Sequence, residues 1–523
     1  MTKRFKLFVL LALSGLMVML TGCRLLASGE VVTVLAGSEL RDLEPLLDEI
    51  AAETGVRLQF EYIGTLNGAE ALLAGHDADL AWFSHGKYLT LLQSNQNLLL
   101  AQEKIMLSPV VLGVKESKAR ELGWLDSSQV TWQEIAERAG QGDLRYAMTN
   151  PASSNSGFTA LVGVAAALAD SGDVLESGDV NQAAMQAFFH GQALTAGSSG
   201  WLADSYVESQ ADLDGMINYE SVLLQLNASN RLAEPLVPIY PQEGIITADY
   251  PLMLLAENKR EQFDTLVTFL RSPDFQQRLM ETTLRRPAVP RVGLNDRFPS
   301  ALLIELPFPN RLDVINSLLF TYLDEQRIPA HAFFVLDVSG SMSGDGLRDL
   351  KFAMNNLTGL DDSLTGQFAR FRGRERVSVL AFSDEMALLG PFFIDNTAKE
   401  SPDMEAIRQT VAQLEADGGT AIYSALIQAY ELAHSAWEND PERYYSIVLM
   451  SDGENTDGWS DDDFRRYYND LPPSAQNIRT FTVAFGAADE DAMSEIAELT
   501  NGRFFDSRED SLSFIFKQIR GYQ

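Results

Sequence analysis

The sequence predicts an α/β protein built as two α/β lobes followed by a third α/β domain. Three observations carry that prediction. Runs rich in β-branched residues alternate with runs whose apolar residues recur at i, i+3, i+4 and i+7. The alternation passes twice through residues 31–323, on either side of a long extended run, "IMLSPVVLGV". A third block, from about Pro329 to Gln523, repeats it with no Gly/Ser-rich or Pro-rich tether before it. At 523 residues the chain is long enough for several such units, each burying its own core.

Residues 1–22 stand outside the fold. Lys3, Arg4 and Lys6 form a basic start, and Leu7 to Leu20 an apolar stretch too short to span a bilayer comfortably. "LTGC" then leads small residues into Cys23. This resembles the bacterial lipobox, which implies a diacylglyceryl group on Cys23, the first residue of the mature chain. The lipid would anchor the protein to a membrane of the bacterial cell envelope, on its extracytoplasmic side, in the periplasm or at the cell surface. Cys23 is also the only cysteine, which excludes internal disulfides, thiol catalysis and cysteine metal sites. A net charge of −33 excludes a nucleic-acid partner, since that needs a basic patch, and draws in cations instead.

In the first lobe "VVTVLAG" reads as a buried strand. Leu43, Leu46, Leu47 and Ile50 form one face of the next helix, which Pro45 places near Asp42 at its start and Gly55 ends. "VRLQFEY" is the second strand, "GTLNGAEALLAG" a turn and short helix, and "ADLAWFS" the third strand. This β-α-β-α-β order implies a parallel sheet with right-handed crossovers. Past the extended run, "TWQEIAERA" is a helix, "LRYAMTN" a strand and "SGFTALVGVAAALA" a helix. "DGMINYESVLLQL", "EPLVPIYP" and "GIITADYPLMLL" complete a second lobe joined to the first by crossing strands. "RLDVINSLLFTYL" is a last amphipathic helix, and the boundary falls near Ile328, giving segments 23–328 and 329–523.

Residues 30–323 resemble the type II periplasmic solute-binding proteins, above all those that cradle oxyanions or iron. That resemblance implies a small-molecule or oxyanion ligand held between the lobes at the carboxyl ends of the strands. The candidate contacts are Ser38 after the first strand, Thr65 (with Asn67) after the second and Ser84 after the third. In the second lobe they are Ser153, Ser154, Asn155 and Ser156, which precede a helix whose free N–H groups suit an anion, and Tyr219 with Glu220 after "GMIN". A carboxylate at Glu220 would favour a cation or an amine.

The third block carries the strands "AFFVLDV", "RVSVLAFS", "YSIVLMSDG", "IRTFTVAFG" and a short "RFFDS", with amphipathic helices such as "AIYSALIQAYELA" between them. Asp461, Asp462 and Asp463 after Ser460 read as a capped helix start. "FFVLDVSGSMSGDG" raises two chemistries. A serine-hydrolase elbow needs Ser at the centre of G-x-S-x-G, where this chain has Met342, and a histidine downstream in a loop. His434 lies inside "YELAHSAW", mid-helix. The other chemistry is a divalent-metal site: Asp337 ends a strand, and Gly340 and Gly344 turn the chain so that 337, 339 and 341 converge. "DGGTAIYSAL" adds Thr420 and "VLMSDGENTDG" adds Asp452, both at loops of the same edge.

The set Asp337, Ser339, Ser341, Thr420 and Asp452 resembles the metal-ion-dependent adhesion site of von Willebrand factor A domains. The resemblance implies a doubly wound Rossmann-like sheet, Mg²⁺ or another divalent cation, and an open coordination position for a carboxylate of a protein partner. The whole chain then reads as a membrane-anchored extracytoplasmic binding lipoprotein rather than an enzyme. The alternatives are the solute receptor of an ABC-type transport or sensing system and, further off, a metal-dependent hydrolase that lacks a base.

Overall fold

The computed structural model describes residues 30–93, 97–126, 129–169, 174–299, 303–486, 488–508 and 511–523. The N-terminal leader and Cys23 lie outside the described residues. Strands are β1 (Glu30–Ala36), β2 (Val56–Tyr62), β3 (Leu80–Trp82), β4 (Ala101–Lys104), β5 (Met106–Lys115), β6 (Tyr146–Thr149), β7 (Gln192–Ala196), β8 (Gly215–Tyr219), β9 (Leu236–Ile239), β10 (Thr247–Ala248), β11 (Pro251–Leu254) and β12 (Arg286–Pro287). They continue as β13 (Ala330–Asp337), β14 (Arg376–Phe382), β15 (Met386–Phe393), β16 (Tyr444–Ser451), β17 (Arg479–Ala484) and β18 (Arg503–Asp506).

Among the described residues these strands form three sheets. The first has the order β2-β1-β3-β11-β4, with β1, β2 and β3 parallel and β11 antiparallel to both its neighbours. In the second, β6 runs parallel to β7 and β8, and the long β5 pairs antiparallel with β8, β9, β10 and β12. The chain leaves the first lobe through β5 and returns through β10 and β11, so two extended segments cross between lobes. One local difference from the sequence reading concerns the first helix. It begins as a 3-10 helix at Ser38–Leu46, ahead of Asp42, and becomes α-helical only at Leu47–Thr54. Pro45 lies inside the 3-10 stretch, where its missing N–H blocks regular α-helical bonding. Gly55, at φ +72°, ends the helix as its left-handed cap.

The third sheet has the order β15-β14-β13-β16-β17-β18, parallel except for the edge strand β15. Alternate residues of β13 face opposite sides, as the period of a strand requires. Phe333 and Val335 meet Ile422, Leu426 and Tyr430 of the helix Ile422–Asn439. Phe334 and Leu336 meet Leu350 of Asp345–Asn355 and Ile515 and Phe516 of Leu512–Arg520. Helices therefore cover both faces, which is the doubly wound arrangement.

The second of these cores is continuous with the core of the lobes. Helix Leu312–Thr321 ends in one π-helical turn, Tyr322–Gln326, and β13 follows almost at once. Tyr322 packs edge-on against Phe189, with ring centroids 4.8 Å apart. Asp324 takes both Nε and Nη2 of the buried Arg372 at 2.7 and 2.5 Å. Farther out, Trp201 of the second lobe packs on Tyr522 at 4.6 Å, and Arg479 lies over the Trp201 ring at 4.7 Å while donating to Ser205 Oγ. Glu70 of the first lobe accepts the backbone N–H groups of Leu364 and Thr365, at the start of helix Leu364–Ala369. The third domain thus grips both lobes.

Candidate functional site

Two sites lie at the carboxyl ends of strands, one on the third domain and one between the lobes.

On the third domain, β13 delivers Asp337 into the core, fully buried. Its Oδ1 accepts the Ser339 N–H at 2.8 Å, which pins the first loop to its own strand. Ser339 and Ser341 hold their hydroxyls 2.9 Å apart, and Ser341 Oγ donates to Asp452 Oδ1 at 2.8 Å. Gly340 N donates to Gly418 O at 3.0 Å, tying the first loop to the second. Gly344 takes φ +94°, a region costly for side chains, just before the helix Asp345–Asn355. The second and third loops are joined through Thr420 N to Thr456 Oγ1 and Thr456 N to Thr420 O, at 3.0 and 2.9 Å. A side chain built on Gly453 would lie 3.5 Å from Ser341 Oγ and 3.7 Å from Thr420 Oγ1, so these two hydroxyls face one small space.

The five predicted residues are therefore brought together, from three loops at one sheet edge. Sequence reasoning missed Ser451, whose hydroxyl donates to Asp337 Oδ2 at 2.5 Å. The signal was its place beside Asp452 at the end of β16. Burial pushes the carboxyls of Asp337 and Asp452 above the usual range, and the Asp452 charge adds to the rise at Asp337. Their hydrogen-bond partners are hydroxyls and backbone N–H groups, and among the described residues neither forms an ion pair with a guanidinium or ammonium. Two carboxylates and three hydroxyls form a hard-oxygen donor set that suits Mg²⁺. Among the described residues no group of three or more His, Cys, Asp or Glu could hold a metal, so hydroxyls would share the ligation. His434 is remote from this edge: it stacks on Trp437 and its Nε2 lies 3.2 Å from Ser474 Oγ. The Asp461 run starts a helix under a capping box between Ser460 and Asp463.

Between the lobes the first sheet presents Thr65 and Ser84, both buried, with hydroxyls 3.4 Å apart. The second lobe answers with the helix Asn155–Ala167, in front of which Ser154 makes no capping bond. Ser156 Oγ lies 2.8 Å from both Thr149 Oγ1 and Ser199 Oγ, and 3.4 Å from Ser154 Oγ. Asn155 Nδ2 donates to Thr159 Oγ1 and to Tyr219 Oη at 3.2 and 3.1 Å. The lobes touch here, since a methyl on Gly64 would lie 3.0 Å from Ser153 O. Ser38 is half-buried in the first turn of the 3-10 helix rather than in a loop. Ser153 Oγ bonds back to Asn150 O at 3.2 Å and faces Gly521 of the third domain. Glu220 is fully buried and taken: Arg286 grips both its oxygens at 2.7 and 2.8 Å, and Tyr240 Oη donates to Oε1. Its carboxylate is thus neutralised by the protein.

Four residues that sequence reasoning did not single out complete the cleft: Glu39, Asp42, Tyr250 and Arg285. Arg285 Nη1 donates to Asp42 at 2.5 Å and Nη2 to Glu39 O at 3.0 Å, and its guanidinium lies 4.7 Å over the Tyr250 ring.

Residues 32–283 match the family model of bacterial extracellular solute-binding protein, and residues 333–518 that of the von Willebrand factor type A domain. The chain therefore carries a bacterial solute-binding domain followed by a von Willebrand factor A domain. An uncharacterized protein of Synechocystis is 31% identical over 137 residues, 26% of this chain and 28% of that protein. Human inter-alpha-trypsin inhibitor heavy chain H4 is 30% identical over 134 residues, 25% of this chain and 13% of that one. The alignments thus span less than a third of the length of these curated relatives. Among solved structures, the periplasmic binding protein AfuA from Actinobacillus pleuropneumoniae, with exogenous fructose-6-phosphate bound, aligns at a TM-score of 0.46 and 13% identity. That alignment covers 57% of this chain and 99% of the other. A von Willebrand factor type A structure from Catenulispora acidiphila aligns at 0.31 and 18%, over 38% and 43%.

Proposed function

We propose that this protein is a lipid-anchored, extracytoplasmic binding protein that joins recognition of a small solute to Mg²⁺-dependent capture of a protein partner. The observation that carries the reading is the convergence of Asp337, Ser339, Ser341, Thr420 and Asp452 on one edge of the third sheet. Asp337 and Asp452 supply the charge that offsets a dication, and the three hydroxyls supply neutral oxygens. Ser451 and the Ser339 N–H hold Asp337 in place. A bound Mg²⁺ offers an open coordination position to a partner's carboxylate. The match to an extracellular solute-binding family supports an extracytoplasmic site of action. Among the described residues no helix is long and apolar enough to cross a membrane, and the anchor in this reading is the lipid on Cys23. The role assigned to the metal-site residues is binding.

Two measurements test the reading. Partner capture from envelope extract by the immobilised chain should be lost in EDTA and restored by Mg²⁺; capture that is indifferent to EDTA contradicts it. Mass spectrometry of the membrane-released N-terminal peptide should find a diacylglyceryl group on Cys23, absent in Cys23→Ala. An unmodified N-terminus contradicts the anchor.

A further inference from the structure

The cleft between the lobes carries a charge pattern opposite to the one an oxyanion needs. An anion site in this fold would use the free N–H groups at the start of the helix after β1. Here the chain fills that place itself. The Glu39 carboxylate folds back over Gly37, where an added methyl would lie 2.7 Å from both its oxygens, and it accepts its own backbone N–H. Glu39 Oε1 is sealed from solvent and has no hydrogen-bond partner.

Across the cleft the same lack recurs. Asn155 is 5% exposed and has used its amide N–H groups on Thr159 and Tyr219, which leaves Oδ1 unpartnered. Asp42 Oδ1 is buried and unpartnered as well. Arg285 turns Nη1 to Asp42 and Nη2 to Glu39 O, and its buried Nε has no partner. The Tyr250 hydroxyl is fully buried, with Arg285 acting on it, and can serve in either sense. Three buried oxygens of the cluster, Glu39 Oε1, Asp42 Oδ1 and Asn155 Oδ1, thus lack a donor. Two carboxylates and one guanidinium give the cluster a formal charge of −1. The Tyr219 ring, its centroid 6.1 Å from that of Tyr250, adds a negative face to the same space, while Arg285 already covers Tyr250. An unpaired buried acceptor costs free energy that an N–H of a ligand recovers.

We propose that the solute of this cleft is a small organic cation, an amine whose N–H groups bond to Glu39 Oε1 and Asn155 Oδ1 beside Tyr219 and Tyr250. Ammonium donors match three acceptors, carry the charge that balances the cluster and favour aromatic faces. The inference rests on the solute-binding reading above and goes further by naming the ligand's chemistry.

Calorimetry on the full chain tests it, after removal of copurified ligand by unfolding and refolding, and with EDTA present to silence the metal site. The probes are methylamine, putrescine, sulfate, phosphate and molybdate. The inference expects a saturable heat with an amine and none with the three oxyanions. Glu39→Gln and Asn155→Ala should each weaken the amine at least tenfold, with Mg²⁺ binding in EDTA-free buffer unchanged as a check on folding. Oxyanion binding alone would overturn the ligand class while leaving the solute-binding reading intact. Binding of none of the five would overturn both. Equal amine affinity in wild type and Glu39→Gln would overturn the assignment of the contact.

Discussion

Glu375→Ala removes the carboxylate at the joint between the lobes and the third domain. Glu375 is 2% exposed, and its oxygens accept from Arg327, from Arg520 at 2.7 and 2.8 Å, and from the Arg372 N–H at 2.9 Å. The substitution would leave two buried guanidiniums without a counter-charge. Breaking a buried pair from one side costs about 3–5 kcal/mol. For a unit of this size each kcal/mol lowers Tm by about 2–4 °C, so a fall of roughly 6–20 °C is expected. Differential scanning calorimetry at pH 7 reads it directly. The pH dependence has a definite sign. Burial raises the Glu375 carboxyl, but Arg520 and Arg327 outweigh that and hold it below its usual value. Its contribution is therefore complete above the unfolded carboxylate pKa near ~4.3 and is lost as pH falls through the lower folded value. The gap between wild type and variant should shrink only at strongly acid pH. A loss under about 1 kcal/mol at pH 7 would refute the view that this buried cluster holds the joint.

Glu70→Ala should free the start of helix Leu364–Ala369, and hydrogen exchange at the Leu364 and Thr365 amides should accelerate while that of β13 stays unchanged. Ser451→Ala removes the hydroxyl behind Asp337, and Mg²⁺ affinity should fall about 10–100-fold, the usual effect of losing a partner behind a ligand. Burial lowers His85 to about 4 and His331 to about 3. Both are depressed below the unfolded value near ~6.5, so their contribution is complete above that pH and lost as pH falls toward the folded values. Near pH 5 these two histidines together bind close to two more protons in the unfolded chain than in the folded one, a contribution of about 2.5 kcal/mol per pH unit to the slope. Urea midpoints at pH 7 and 5 check the direction, and His331→Phe should flatten the slope.

The candidate site on the third domain is legible because its residues follow strand ends in a fixed pattern: Asp337, Ser339 and Ser341 share one turn, and Thr420 and Asp452 each follow a readable loop signal. The alternation of apolar runs likewise shows most strands, since buried parallel strands such as β13 and β16 are continuous apolar runs. The edge strand β15 escapes that reading. Its residues Ala387, Leu388 and Phe393 are exposed and Gly390-Pro391 interrupts it, so local pattern says turn while pairing with β14 decides the outcome. The cleft is half legible. Thr65, Ser84, Asn155 and Tyr219 stand at strand ends and helix starts, whereas Arg285 and Tyr250 reach the cleft from segments with no motif of their own. Glu220 shows why a lone carboxylate misleads: its partner Arg286 lies 66 residues away and nothing near Glu220 announces it. The grip of Glu70 and Trp201 on the third domain is equally long-range, and no sequence period encodes it.

The central claim is that the third domain binds a dication through the five converging residues, and Mg²⁺ titration of the EDTA-stripped full chain by calorimetry tests it most directly. The account predicts one saturable site in wild type, weaker binding in Ser341→Ala and none in Asp337→Ala, with thermal unfolding showing that both variants are folded. Equal Mg²⁺ affinity in wild type and folded Asp337→Ala would contradict it.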